Sequence, residues 1–345
     1  PALTVLHAPE HGSAAQDYAE SAEKTERILA DWFGPLRHKP ELIELADSNA
    51  IPFSSGAMLL EPLRWASSGE QRELLLARTL VESSVPSPRR WISAGLARFG
   101  QALVRERQAG RAAANEFLGQ ILPALIPAER NQPQQAQTPG TSDATTTAPA
   151  ASPASASAAG GSAAGQAQRE SLVNTSDEVL FSGKAAYVWW MLRDMVGDAP
   201  LAKAIASYRP AQDRQASYMQ SLIEAQFTPK KDLEAFFESW VYRDLGLPDF
   251  RIDAANARET LANNYVVSVT VENLTPVWSE VPVIVRDARG NTRQARIQVP
   301  GNAKATTRIT TQWQPTDAEV NDGSVPELDF SNNKKEVSNQ RKPSE

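Results

Sequence analysis

The sequence contains no cysteine, which excludes disulfides, thiolate zinc sites, iron–sulfur clusters and a cysteine nucleophile. Histidine is scarce as well: three in 345 residues, at His7, His11 and His38. From residue 39 onward no imidazole is available for general-base work or metal ligation. No apolar run approaches the ~18–20 residues of a membrane-spanning helix. The opening Pro-Ala-Leu-Thr-Val-Leu has none of the pattern of a secretory signal. Basic charge is not in excess either. The 35 Lys and Arg face 41 Asp and Glu for a net −6, which argues against a phosphate-binding surface and so against nucleic acid as a partner.

What is present is material for a core. Hydrophobic residues make up 41% of the chain, and the length suits two or three domains at ~100–200 residues each. Residues 131–168 divide it. They contain no Val, Ile, Leu, Met or aromatic residue, and Asp143 is their only charge. Nothing there offsets the entropy of ordering, so a disordered low-complexity insertion is expected.

Residues 1–130 read as mostly helical. Ser13 is placed to cap a helix running to Phe33, with Gly34-Pro35 as its stop. Glu41-Leu-Ile-Glu-Leu-Ala reads as a strand leading into a turn-rich stretch at 49–56. Helices are expected over 69–82, 91–108 and 111–121. Residues 169–248 are again helical by pattern, at 184–196, 201–207, 218–225 and 231–244. Past Pro248 the period changes to two. Tyr265, Val267, Val269 and Val271 alternate with Val266, Ser268, Thr270 and Glu272, the mark of a half-buried strand. Residues 249–338 are therefore expected to form an antiparallel β-sandwich, with 287–291 as a hairpin turn and a frayed tail at 339–345.

His7-Ala-Pro-Glu-His11 matches the inverted zinc-peptidase pattern H-x-x-E-H. That chemistry needs both imidazoles on one helical face, yet Pro9 lies between them and Gly12 follows. Two exposed loop histidines are expected, a decoy rather than a metal site. Trp189-Trp190 within an apolar helix reads as core. Ser93 and Ser182 have no evident base to activate them.

Three further motifs occur in a telling order: Phe53-Ser-Ser-Gly-Ala-Met-Leu-Leu, Trp91-Ile-Ser-Ala-Gly-Leu-Ala-Arg-Phe, and Lys184-Ala-Ala-Tyr-Val-Trp-Trp-Met-Leu-Arg-Asp-Met-Val-Gly-Asp. Together they resemble the gluzincin zinc aminopeptidases of the membrane-alanyl-aminopeptidase family. There a G-x-M-E-N loop binds the substrate amine, and a helix carries H-E-x-x-H. W-L-N-E-G-[FL]-A then supplies the third zinc ligand, and a Tyr precedes K-G-A-x-x-x-x-M-L-R. The resemblance implies a helical, thermolysin-like catalytic subdomain followed by a β-sandwich. It begins midway through the family's architecture, without the large N-terminal β domain or the sheet that precedes the amine-binding loop. The chain thus reads as the C-terminal portion of a longer precursor.

Carried over residue by residue, the resemblance places non-reactive side chains at the functional positions. The loop keeps Gly56, Ala57 and Met58 but has Leu59 and Leu60 for Glu and Asn. The third-ligand position is Ala94. One register puts Ala77 and Val81 at the histidines and Arg78 at the general base; the usual spacing selects Gln71, Arg72 and Leu75 instead. The oxyanion Tyr falls at Ser182, or at Phe181 after a one-residue shift. Zinc needs about three protein ligands, and an Arg with pKa above ~12 cannot act as a base at neutral pH.

The expectation is a family homologue without peptidase activity or cofactor, binding peptide or protein in a groove at Ser55, Gly56, Ala57, Met58 and Leu59. The partner could be the missing N-terminal part of its own precursor. Two alternatives stand beside it. One is an active zinc aminopeptidase with ligands from another chain or from His7 and His11. The other is an adhesion or assembly role for the sandwich. The resemblance also favours an extracytoplasmic location, periplasmic or secreted.

Overall fold

The computed structural model describes residues 3–63, 68–132, 170–260 and 264–340. The insertion expected at 131–168 lies outside them apart from its first two residues. The chain opens with strand β1 (Thr4–Leu6), a 3₁₀ turn at Pro9–His11 and helix α1 (Gly12–Phe33). Strands β2 (Glu41–Glu44), β3 (Phe53–Ser55) and β4 (Met58–Glu61) follow. These four strands form one sheet in the order β1-β2-β4-β3. β1, β2 and β4 are parallel, and β3 is an antiparallel edge strand.

The strand expected at 41–46 is present as β2, but its membership of a four-stranded sheet corrects the expectation that the chain lacks the sheet preceding the amine-binding loop. Three- and four-residue strands are too short to display a period. Helix α1 also begins two residues earlier than a Ser13 cap implies, at Gly12, with no side chain capping it. Tyr18 Oη donates to buried Glu61 at 2.7 Å, tying α1 to β4.

Helices α2 (Gly69–Ser84), α3 (Arg90–Ala109), α4 (Arg111–Gly119) and α5 (Leu122–Asn131) come next. Ser68 and Gln71 close a reciprocal capping box on α2. α5 escapes the sequence pattern because Pro123 and Pro127 both lie within it. A π-helical segment, Val179–Lys184, then leads directly into α6 (Ala185–Val196). After it come α7 (Asp198–Ser207), α8 (Tyr218–Glu224), the single turn α9 (Glu234–Phe237) and a second π segment, Glu238–Tyr242.

The remainder is β structure, in two four-stranded sheets. Strands β5 (Phe250–Glu259), β6 (Tyr265–Asn273), β7 (Ser279–Arg286), β8 (Thr292–Val299), β9 (Lys304–Thr311), β10 (Asp317–Val320), β11 (Lys334–Glu336) and β12 (Ser338–Gln340) order as β11-β10-β7-β8 and β12-β5-β6-β9. Val267, Val269 and Val271 of one sheet and Val281, Val283 and Val285 of the other are fully buried in a single core. The tail expected to fray from 339 instead adds β12 in parallel to β5 through Gln340.

Lys184 is the hub of the helical half. It is completely buried, and its ammonium reaches Glu129 of α5 at 2.5 Å, the Asp244 carboxylate, and the Gly246 carbonyl at 3.1 Å. Asp244 takes φ 47°, a conformation a non-glycine residue adopts only when its surroundings hold it there. Removing the ammonium leaves two carboxylates buried without it. Lys184→Met is therefore expected to lose about 3–5 kcal/mol in urea unfolding. Adding Glu129→Gln and Asp244→Asn should recover much of that loss.

In the sheet region Glu327 is fully buried and accepts from Phe250 N at 2.6 Å, Asn321 Nδ2 at 2.7 Å and Asn333 Nδ2 at 2.8 Å. Burial nevertheless pushes its carboxyl up to about 8. The folded chain then keeps a proton that the unfolded chain releases near the ordinary 4.5. Stability from this group is complete below that value and is lost as pH climbs toward about 8. The unfolding midpoint should fall between pH 5 and 8. Glu327→Gln should flatten that slope while lowering the midpoint at pH 5, because its amide faces two Asn donors.

Candidate functional site

The β3–β4 turn, the exposed side of α2, the first turns of α3 and the first π segment converge on one region. Gly56 supplies the turn, with φ 56°, a conformation glycine takes without a Cβ penalty. Its amide donates to the carboxylate of Glu82 on α2. Glu82 is half-buried, and burial raises its pKa against the opposing pull of Arg78. Arg78 lies one turn earlier and donates to Glu82 at 3.3 Å, while its other nitrogen is 3.9 Å from Glu178. One guanidinium thus sits between two carboxylates, one on α2 and one beside the π segment.

The other positions singled out by sequence are dispersed. Val81 faces away from this region, as a Cβ on Gly100 of α3 would come within 2.6 Å of it, with Leu29 and Phe33 next in line. Ala77 is fully buried one turn earlier on the same side of the helix. The alternative register fares no better. Gln71 is spent on the capping box, Arg72 lies over the Tyr18 ring with Nε 3.4 Å from Ser21, and Leu75 is half-buried. Ala94 is half-buried on α3, and Ser182 is buried within the π segment. Phe181 lies under the Arg90 guanidinium at 5.1 Å. In the hairpin Ser55, Gly56 and Met58 are exposed and Ala57 is half-buried, but Leu59 is wholly buried and belongs to the core.

His7 is exposed, its Nδ1 against its own neighbour's carbonyl. His11 corrects the expectation of two exposed imidazoles. It is half-buried and its Nδ1 meets Glu44 of β2, which also accepts from Ala8 N at 2.6 Å. The pattern serves to fasten the β1–α1 connection to the sheet. Among the described residues no three His, Cys, Asp or Glu side chains group as a metal site.

The glycine and tryptophans of the Trp91 and Lys184 motifs have packing roles. A Cβ on Gly95 would come within 2.7 Å of Ala185 and 3.0 Å of Trp189, so glycine lets α3 and α6 touch. Trp91 stacks on Trp189 at 5.3 Å, and Trp189 Nε1 donates to the Trp91 carbonyl at 3.2 Å. Trp189 and Trp190 are fully buried core, as expected.

Sequence reasoning missed Arg98 and Tyr187. Arg98 lies one turn after Ala94 and stacks over Phe117 of α4 at 5.1 Å. Tyr187 of α6 is wholly buried. The two are near enough to interact electrostatically, and burial lowers the Arg98 pKa and raises that of Tyr187. Arg98 Nε and Tyr187 Oη both lack a hydrogen-bond partner among the described residues. The i, i+4 series Ala94–Arg98 could have directed attention to the first of them.

The fold is shared with zinc aminopeptidases. Legionella pneumophila aminopeptidase A, solved with aspartic acid, superposes with a TM-score of 0.57 over 99% of this chain at 13% identity. The M1 zinc metallopeptidase of Deinococcus radiodurans matches less closely, with a TM-score of 0.39 over 60% of the chain at 16% identity. The chain spans 36% of the Legionella protein's length and 40% of the Deinococcus protein's. No family model matches the sequence, and no curated protein matches it.

The residues present do not suit the zinc ion this fold family implies. Among the described residues around the hairpin the carboxylate donors are Glu82 and Glu178, and the guanidinium of Arg78 already lies beside both. A divalent cation there would meet a fixed positive charge and too few ligands. Glu82 also anchors the turn. Glu82→Ala should speed amide exchange at Gly56 roughly tenfold or more in hydrogen-exchange NMR, while exchange in β5–β9 stays unchanged.

Proposed function

We propose that this chain is a non-catalytic homologue of the gluzincin aminopeptidases, in which a gluzincin-like helical subdomain and a β-sandwich are kept and the former catalytic cleft binds peptide. One observation carries the reading. The face of α2 that looks across to the hairpin holds the Arg78–Glu82 pair, with no imidazole within reach of it. A bound water needs a metal or a free base to become a nucleophile, and Glu82 is committed to Arg78 and to Gly56 N–H.

The binding surface rests on the edge strand. β3 is unpaired on its outer side among the described residues, and Phe53 and Met58 are exposed beside Gly56. An extended peptide can add to such an edge by main-chain hydrogen bonds. A peptide segment of the protein's own precursor is one candidate occupant, and an extracytoplasmic setting accords with the family. Adhesion or assembly through the two β-sheets has no specific observation in its favour.

The test is direct. After incubation with excess zinc and desalting, the chain should retain well under one zinc per molecule and should not hydrolyse an alanyl arylamide. Stoichiometric zinc together with chelator-sensitive hydrolysis would overturn the reading.

A further inference from the structure

Buried polar groups in folded proteins almost always find partners, and a guanidinium out of water is normally paired with a carboxylate. Arg98 breaks that pattern. It is half-buried, its plane lies over Phe117, and its buried Nε has no hydrogen-bond partner among the described residues. Its charged neighbour on α2 is Arg78, a like charge, and the one carboxylate among the described residues that acts on it, Glu178, also pairs with Arg78. Beside it the Tyr187 hydroxyl is fully buried and equally unsatisfied. At the preceding turn of α3 stands Ala94, whose methyl group fills little space. Two unsatisfied donors, one of them on a cation, lie near each other beside a small side chain.

We propose that this position between α2, α3, α4 and α6 binds a carboxylate, with Arg98 as its charge partner, Tyr187 donating a hydrogen bond and Arg78 at its rim. A planar guanidinium presents paired N–H groups that match a carboxylate's two oxygens. Phe117 covers one face of that plane and fixes its direction. The inference rests on the cleft being a binding site rather than a catalytic one, and it names the chemistry recognised there. A peptide's C-terminus and an acidic side chain offer the same group.

The experiment is calorimetric titration of the full chain with N-acetyl-Ala-Ala and its C-terminal amide, and with N-acetyl-aspartate amide and N-acetyl-asparagine amide. At least one acid should bind tenfold or more tighter than its neutral counterpart, and which one identifies the source of the carboxylate. Arg98→Gln should abolish that preference, and Tyr187→Phe should weaken binding of the acid severalfold. Arg98→Met should raise the melting temperature while abolishing binding, as expected when a partly desolvated cation is retained for a ligand. Equal binding of acid and amide, no binding of either acid, or acid binding unchanged in both Arg98→Gln and Tyr187→Phe would overturn the proposal. Equal binding would still leave the peptide-binding reading intact, whereas zinc-dependent hydrolysis would remove the premise.

Discussion

A lysine with no solvent exposure holds the helical half of this protein together. Lys184 ends the π segment and begins α6, while its ammonium reaches α5 through Glu129 and the exit toward the sheets through Asp244 and Gly246. Three distant parts of the chain meet at one charge. Such a cluster adds little net stability over an apolar replacement of equal shape, but it penalises any arrangement that leaves a carboxylate behind. Its effect is to fix geometry. The π segment must run as it does, and that sets Glu178 opposite Arg78 and keeps Phe181 beneath Arg90. α6 is held against α3 as well, close enough that Gly95 can carry no side chain.

The same geometry separates packing from chemistry. Gly56, Gly95, Trp91 and Trp189 persist because a turn, a helix–helix contact or a ring stack requires them. The cleft beside the Gly56 turn contains a guanidinium shared by two carboxylates. Close to it lies a second guanidinium, Arg98, which among the described residues has only the shared Glu178 as a carboxylate neighbour. Two guanidiniums drawing on Glu82 and Glu178 give the cleft its electrostatic character.

Much of the helical and sheet framework was legible in the sequence. The alternation from Tyr265 to Val271 became β6 with its valines inward, and the apolar periodicity of α1, α2, α3 and α6 survived with boundary shifts of a few residues. In the first sheet β2 was legible as a strand, but the sheet itself was not, since β3 and β4 are too short to show a period and the parallel pairing is long-range. Two prolines hid α5, and a polar tail hid β12. The site was legible only as the residue types at the motif positions. Which face of α2 meets the hairpin depends on tertiary packing. Val81 fits the notch at Gly100, so it turns to the core and leaves Arg78 and Glu82 outward. Arg98 and Tyr187 come from different helices, and only the fold brings them together.

The central claim is that an aminopeptidase-like fold persists here around an ion pair where a metal would be expected. The most direct measurement is an anomalous difference map at the zinc absorption edge, from crystals of the full chain grown in excess zinc. The account predicts no peak between the Gly56 turn, Ala94 and the Arg78–Glu82 pair, and ordinary density for a guanidinium between Glu82 and Glu178. A strong peak there, with Arg78 displaced, would contradict it.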